Sequence, residues 1–397
     1  MTSLERHEAR YQRRAKKRQE RRLEVSKACG NFEDVFSYAN LYRAGHICCR
    51  NVGWKSSTQA YRFNIITNTA LTRRELLAGT YKSRGFIKFQ LFDRGKMRDI
   101  KSVHISERVV LRTICDKAVN PTLKPAFIYD NGACTENKGI DFALNRLDCH
   151  LQRHFRKHGN KGYVLVFDFT NYFGTAQHWP ISAEFRRRMH DKRIEALANY
   201  FIGCFGETSL GLGSQISQTA ALMLPNRLDH YIKEKLRIKG YARYNDDGYL
   251  IHESKEYLKF CLGKMKSICD SLGITLNSKK TKIKKLSKGF KFLQIRFKLT
   301  ETGKVVRKMS YEGIKKMRRK LKKFKRWNVE GRVVIINGKA IRKKFTLADI
   351  CCAYTGTRAH LKRGNSFYAL QRLDALFKSL YGFHPTDKKK WRKALCT

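Results

Sequence analysis

Tyr241-Ala242-Arg243-Tyr244-Asn245-Asp246-Asp247-Gly248-Tyr249-Leu250-Ile251 is the stretch on which the fold turns. Apolar, β-forming residues flank an Asp-Gly pair, which predicts a strand, a tight turn at Asp247-Gly248 and a second strand. Two adjacent carboxylates at a hairpin tip repel each other unless something neutralises them. Hard divalent cations with oxygen ligands do so, and two such ions about 4 Å apart serve in-line phosphoryl displacement. A solvated turn is the plainer alternative, because Asp-Gly is a common hairpin signal.

A third carboxylate lies upstream. Tyr163-Val164-Leu165-Val166-Phe167 is a continuous apolar run, read as a buried strand that ends in Asp168. Alone, Asp168 is equally well read as the cap of the following turn. The order matters more: strand then Asp168, next a Gly/Ser/Gln segment, finally Tyr-x-Asp-Asp. Together these resemble the palm of a reverse transcriptase.

The resemblance extends over most of the chain. Asp168 matches the aspartate of the family's first catalytic motif, and Phe173 the aromatic that closes the pocket against a sugar 2′-hydroxyl. Leu212-Gly213-Ser214-Gln215-Ile216-Ser217-Gln218 is similar to the template- and nucleotide-contacting motif. Its Gly-x-x-x-Ser-Gln form is typical of diversity-generating retroelements and defence-associated bacterial enzymes. Leu272 to Thr281, with Lys280, resembles the segment after the Asp-Asp hairpin, and Gly289 to Phe297 the hairpin that grips the primer. Lys96-Met97-Arg98 and Phe127 to Leu144 look like the fingers of that bacterial group, and Gly356 to Ser366 like its thumb. Three positions depart from the pattern: Asn245 before the aspartates, Leu212 where high-fidelity relatives place glutamine, and Gln294 where glycine is usual.

The resemblance implies an α+β right-hand polymerase fold, with fingers, a palm of antiparallel sheet plus helices, and a helical thumb. The expected segments are 1–30 as a basic arm, 31–160 as fingers with the start of the palm, 161–300 as palm with primer grip, and 301–397 as thumb and tail. It also implies an RNA-directed DNA polymerase using two Mg2+ ions, or Mn2+ in their place. Asp168 and Asp246 would bridge both ions, Asp247 would be a weaker ligand or positioning group, and the Phe169 backbone would contribute an oxygen. Arg98 and Lys96, with Lys88 nearby, would hold the triphosphate; Phe173, Leu212, Gly213 and Gln218 would contact the nucleotide, and Lys280 would protonate pyrophosphate. Expected partners are deoxynucleotides, a structured non-coding or template RNA, the cDNA product, and a second protein or another copy of the chain. Bacterial antiphage defence is the expected setting. The alternatives are mutagenic copying in a diversity-generating retroelement, untemplated or protein-primed DNA synthesis, and a non-catalytic RNA-binding scaffold.

Charge agrees with a nucleic-acid partner. Lys and Arg number 84 against 33 Asp and Glu, a formal net charge of +51 spread through the chain. Such an excess favours a polyanionic partner, bound through release of condensed counterions. An anionic membrane is not expected: no apolar span near 20 residues occurs, and the N-terminus lacks a signal-peptide core. Twelve cysteines without a Cys-x-x-Cys spacing read as reduced, mostly buried thiols of a cytoplasmic protein rather than zinc ligands.

Along the chain, residues 5–22 have high helix propensity but no apolar stripe, and are expected to order against RNA or stay mobile; Arg13, Arg14, Lys16 and Lys17 are the candidate contacts. Helices are predicted over Ile105–Cys115 with Ser106 as cap, Gly139–Phe155, residues 214–236, and Glu256–Ser271. Tyr311–Arg326 is the clearest amphipathic helix, with Ile314, Met317, Leu321 and Phe324 as its stripe. Its Lys315, Lys316, Arg318, Arg319, Lys322 and Lys323 are candidates to track phosphates. Arg332 to Gly338 reads as a β-hairpin inserted in the thumb.

Overall fold

The computed structural model describes residues 2–93, 96–309, 311–336, 339–387, 389 and 390. Strands occur in the order β1 (Phe86–Asp93), β2 (Lys96–Val103), β3 (Tyr163–Asp168), β4 (Gly240–Tyr244), β5 (Asp247–His252) and β6 (Lys282–Lys285). Five more follow: β7 (Phe290–Phe292), β8 (Ile295–Leu299), β9 (Val305–Met309), β10 (Arg332–Ile336) and β11 (Lys339–Lys343). Two compact units interleave along the sequence. The first comprises the N-terminus to Gly139, Phe167–Asp246 and Lys259–Thr281; the second comprises Ile140–Val166, Asp247–Leu258 and Lys282 onward.

In the first unit the N-terminal segment is one helix, Ser3–Lys27. Thr2 and Glu5 close it reciprocally: the Glu5 amide donates to Thr2 Oγ1 and the Thr2 amide to Glu5 Oε2. The arm, expected to order against RNA or stay mobile, has protein partners in its last turn. Buried Ser26 accepts from the His190 amide at 2.7 Å, and the helix packs on Asn120–Leu123 and Trp179–Arg188. Composition misses this because a single turn suffices to dock the helix while the rest stays charged.

Helix Ile105–Ile114 starts where predicted and ends one residue sooner. His104, not Ser106, is its N-cap, and accepts the Ser106 amide. It continues as a π turn, Cys115–Val119, into Asn120–Leu123, where Pro121 has no amide to donate. The helix expected over 214–236 is broken. Gln215–Met223 ends before Pro225, and Asn226–His230 and a π turn over Tyr231–Lys235 follow. β1 and β2 pair antiparallel, with Lys88 opposite Lys101 and Leu91 opposite Arg98. Ile87, Phe89, Leu91 and Met97 on this hairpin are exposed.

In the second unit, β5, β3 and β6 lie in that order, with Val164 of β3 opposite Lys284 of β6. Helix Ile140–His158, close to the predicted span, rests on β5, where His150 Nδ1 and the Tyr249 hydroxyl are 2.9 Å apart. β7, β8 and β9 form a separate antiparallel sheet, and Phe290, Phe292, Ile295, Phe297 and Leu299 alternate into its buried face. The turn joining β7 to β8 holds Leu293 and Gln294 at φ 45° and 69°, a left-handed conformation that favours glycine. The thumb-like region is helical: Tyr311–Glu330, Leu347–Lys362 and Phe367–Tyr381 enclose Met317, Leu321, Phe324, Ile350, Tyr354, Leu373 and Phe377. Tyr354 donates to Asp374 at 2.6 Å and Arg358 forks onto the same carboxylate, so this buried charge is paired. The expected hairpin is β10 and β11, paired antiparallel from Arg332↔Lys343 to Ile336↔Lys339; its turn, Asn337-Gly338, lies outside the described residues.

Candidate active site

Asp168 ends β3, and its side chain is buried, with the residue 4% exposed. Two backbone bonds fix what surrounds it. The Phe169 amide donates to the Asp246 carbonyl at 3.3 Å, and the Asn277 amide to the Asp168 carbonyl at 2.8 Å. The first ties the exit of β3 to the turn after β4; the second ties it to the segment carrying Lys280. Lys280 Nζ reaches Asp168 Oδ2 at 2.7 Å. The lysine assigned to pyrophosphate by resemblance therefore rests on a carboxylate assigned to metal.

The turn itself differs from the prediction. Asn245 and Asp246 form it, one position before Asp247-Gly248, and Asp247 already opens β5 in the second unit. Asn245 has φ 54°, which asparagine tolerates better than most residues, so it takes the place a glycine would otherwise fill. Half-buried Asp246 has its carboxyl pushed up, first by burial and then by the charge of Asp168, while Lys280 and Arg98 oppose the shift. Two carboxylates thus share one poorly solvated place, and Arg98 on exposed β2 lies near enough to be felt there.

The Gly/Ser/Gln segment lies against β2. The Lys101 amide donates to the Leu212 carbonyl at 3.2 Å, and a Cβ on Gly213, at φ 118°, would stand 3.3 Å from the Lys101 carbonyl. Buried Ser217 donates to the Leu210 carbonyl, and the Leu210 amide donates to the Phe173 carbonyl at 2.8 Å. Hydrogen bonds therefore link Phe173 and the motif helix through one loop. Phe173 is half-buried and stands edge-on to Tyr172; Leu212 is half-buried, while Gly213 and Gln218 are exposed. Lys88, opposite Lys101 in the hairpin, is exposed, and Lys96 opens β2.

Residues 92–297 match the model of the reverse transcriptase (RNA-dependent DNA polymerase) family. The chain belongs to that family. No curated protein sequence matches it. Among solved structures, apo telomerase from Candida tropicalis aligns at 13% identity and TM-score 0.50, over 84% of this chain and 64% of that one. Telomerase from Candida albicans, in complex with a TWJ fragment of telomeric RNA, aligns at 12% identity and TM-score 0.45, over 79% of this chain and 57% of that one. The reverse transcriptase thus spans less than two thirds of either telomerase chain. Its fold is the mixed helix and antiparallel-sheet, right-hand polymerase fold.

Reverse transcriptase domains generally use divalent metals. Asp168 and Asp246 fit such an ion: both offer hard oxygens, and the carboxyl of Asp246 is raised by burial and then by the charge of Asp168, with Lys280 opposing. Among the described residues no group of three or more His, Cys, Asp or Glu side chains is gathered for a metal. Buried Ser214 Oγ, Asn245 Oδ1 and Thr281 Oγ1 have no hydrogen-bond partner among the described residues, and all three belong to the segments that carry site residues.

One group escaped the sequence reading. Arg243 and Asp229 are both fully buried and form an ion pair at 2.6 Å, with the Tyr241 hydroxyl donating to the same carboxylate at 2.5 Å. Arg243 also donates to the Asn245 carbonyl at 2.9 Å and the Leu222 carbonyl at 3.0 Å. Burial opposes its charge, yet Asp229 holds its pKa above the ordinary value. Arg243 is a positioning residue for the turn that carries Asp246. Its only signal was an arginine in an otherwise apolar strand. Of the nucleic-acid candidates, Arg13, Arg14, Lys16 and Lys17 are exposed on the N-terminal helix, and Lys315, Lys316, Arg318, Arg319, Lys322 and Lys323 on Tyr311–Glu330.

Proposed function

We propose that this reverse transcriptase copies an associated RNA into cDNA by two-metal nucleotidyl transfer, in the cytoplasm of a bacterium and in antiphage defence. The observation that carries the catalytic part is the half-buried Asp246 carboxyl, raised by burial and then by the charge of nearby Asp168. Divalent ions bound there supply activation of the primer hydroxyl and neutralisation of the leaving pyrophosphate. Asp168 and Asp246 hold them, with Asp247 and the Phe169 backbone as further oxygens. Arg98 and Lys96 orient the triphosphate, Arg98 through forked hydrogen bonds. Phe173 excludes a 2′-hydroxyl, Leu212, Gly213 and Gln218 seat the nucleotide, and Lys280 supplies a proton to pyrophosphate once it leaves Asp168. Residues 31–160 act as fingers, 161–300 as palm and 301–397 as thumb, with 1–30 as a basic arm. The charge of +51 supports an RNA that stays bound between turnovers.

The Gly-x-x-x-Ser-Gln form at Gly213 to Gln218 supports a bacterial setting of either kind, defence or diversification, and defence is the one put forward here. A second reading, mutagenic copying in a diversity-generating retroelement, is favoured by Leu212, which has no amide to hydrogen-bond the incoming nucleotide. Sequencing the RNA and DNA that copurify with the protein separates the two: cDNA of one structured RNA supports defence, and cDNA of a template repeat carrying many errors supports diversification. Primer extension on an RNA template tests the chemistry, with Mg2+-dependent deoxynucleotide incorporation expected. No incorporation with Mg2+ or Mn2+ on templated, untemplated or protein-primed substrates would leave an RNA-binding scaffold.

A further inference from the structure

Away from the carboxylates, the first unit contains a cavity of about 780 Å3 bounded by the N-terminal helix, Trp179–Arg188 and the segment Asn226 to Lys235. The N-terminal helix contributes Arg18, Arg21 and Arg22, and the second wall adds Arg187 and Arg188. Arg227 and Lys235 complete the basic lining. Two carboxylates face these seven side chains, and both are already engaged. Glu184 accepts from Arg187 and Arg188, and Glu234 is hydrogen-bonded to His230 at 2.7 Å. The Arg22 guanidinium is pushed below its ordinary pKa, first by burial and then by the charges of Arg187 and Arg188. Seven cations face two carboxylates, one of them shared by Arg187 and Arg188, and the net positive excess that remains favours an anion.

Two further features say which anion. Asn226 lines the cavity, is 5% exposed, and its Oδ1 has no hydrogen-bond partner among the described residues. That acceptor is closed to solvent here, so a donor reaches it only once the Asn226 side chain turns into the cavity; a ribose 2′-hydroxyl is such a donor and a phosphate diester is not. Tyr11, 53% exposed at the rim, offers an aromatic face on which a base can stack. Guanidinium groups for phosphates, an acceptor for the 2′-hydroxyl and a stacking platform together fit single-stranded RNA.

We infer that this cavity is an RNA-binding site, separate from the polymerase centre, in which arginines from the N-terminal helix and from Trp179–Arg188 hold the phosphodiester backbone and Asn226 reads the ribose. It does not depend on catalysis, so its failure and a failure of the polymerase reading are distinguishable. The N-terminal helix, on this inference, is one wall of a preformed site rather than a tail that folds around its ligand.

The test is fluorescence anisotropy with a labelled 20-nucleotide single-stranded RNA and the DNA of the same sequence. The Arg22→Gln/Arg227→Gln protein is expected to bind both about tenfold more weakly, with the salt slope of log affinity shallower by roughly 1.4 for two lost phosphate contacts. A charge-matched control, Lys259→Gln/Lys266→Gln, on an exposed face elsewhere, is expected to lose no more than about twofold. Asn226→Ala should erase the preference for RNA over DNA while leaving DNA affinity unchanged. Equal losses in the two double variants overturn the inference, as does displacement of the RNA by equimolar inorganic tripolyphosphate, which would make the cavity a small-anion site. Should either variant fold poorly, 4-thiouridine RNA crosslinked to the natural protein decides: adducts at Tyr11 or Phe127 support the site, and their absence among recovered adducts overturns it.

Discussion

At the scale of single residues, Asp246 is the sharpest test of the chemistry. Asp246→Asn keeps the shape and removes one charge from a pair that repels itself. Primer extension is expected to fall by several orders of magnitude, since a ligand to the reacting centre is worth several kcal/mol in the transition state. Thermal melting in the presence of a chelator should show the variant no less stable than the natural protein, because a buried repulsion has been relieved. Full activity in Asp246→Asn would falsify the polymerase assignment of this site. Phe173 supplies a second test. Its ring is half-buried and its backbone is held by Leu210, so Phe173→Ala should open space at the sugar without dismantling the loop. Ribonucleotide incorporation is expected to rise at least tenfold relative to deoxynucleotide. An unchanged sugar preference accompanied by a lower melting temperature would make Phe173 a packing residue. That Asp168 ends a buried strand and Asp246 lies in a turn was legible because both patterns are local in sequence. That Lys280 sits on Asp168 was not, since the pair is joined only by a contact across 112 positions.

At the scale of elements, the strand–turn–strand around Asp246 was legible and its register was not. Alternating apolar residues marked β4 and β5, and Asp-Gly suggested the turn. Asn245 took the left-handed position instead, drawing the turn back by one residue. Helix ends followed the same lesson: Pro225 ends the motif helix sooner than its apolar periodicity suggests, and the π turns at Cys115 and Tyr231 carry no sequence mark that a 3.6-residue repeat reveals. The hairpin also depends on a buried pair that no local pattern announces. Arg243→Leu leaves Asp229 uncompensated in a fully buried place and is expected to cost about 3–5 kcal/mol, read by urea denaturation. Asp229→Asn combined with Arg243→Leu should recover part of that loss. A cost below about 1 kcal/mol for Arg243→Leu would show that the turn is held by its own backbone.

At the scale of the whole chain, net charge is the property that the sequence states most openly. RNA binding should weaken steeply with salt, each released phosphate contact adding roughly 0.7–0.9 to the log–log slope. Filter binding between 50 and 500 mM salt measures it, and a flat profile would mean that the basic surface is merely solvated. Fold class was legible because its motifs keep their order over residues 92–297. The division into two interleaved units was not, since each unit gathers segments far apart in sequence. Cys134 belongs to the first unit and Cys352 to the second, both thiols are exposed, and the neighbour Cys351 is buried with its thiol pushed up to about 11. With Cys396, outside the described residues, and the half-buried Cys29, Cys149 and Cys204 replaced by serine, mildly alkaline buffer would let dyes enter at Cys352 and, more slowly because burial also raises its thiol, at Cys134, while buried thiols stay silent. The protein then carries its own pair of fluorophore handles, one on each unit, and energy transfer between them would follow the units in real time as primer and nucleotide arrive.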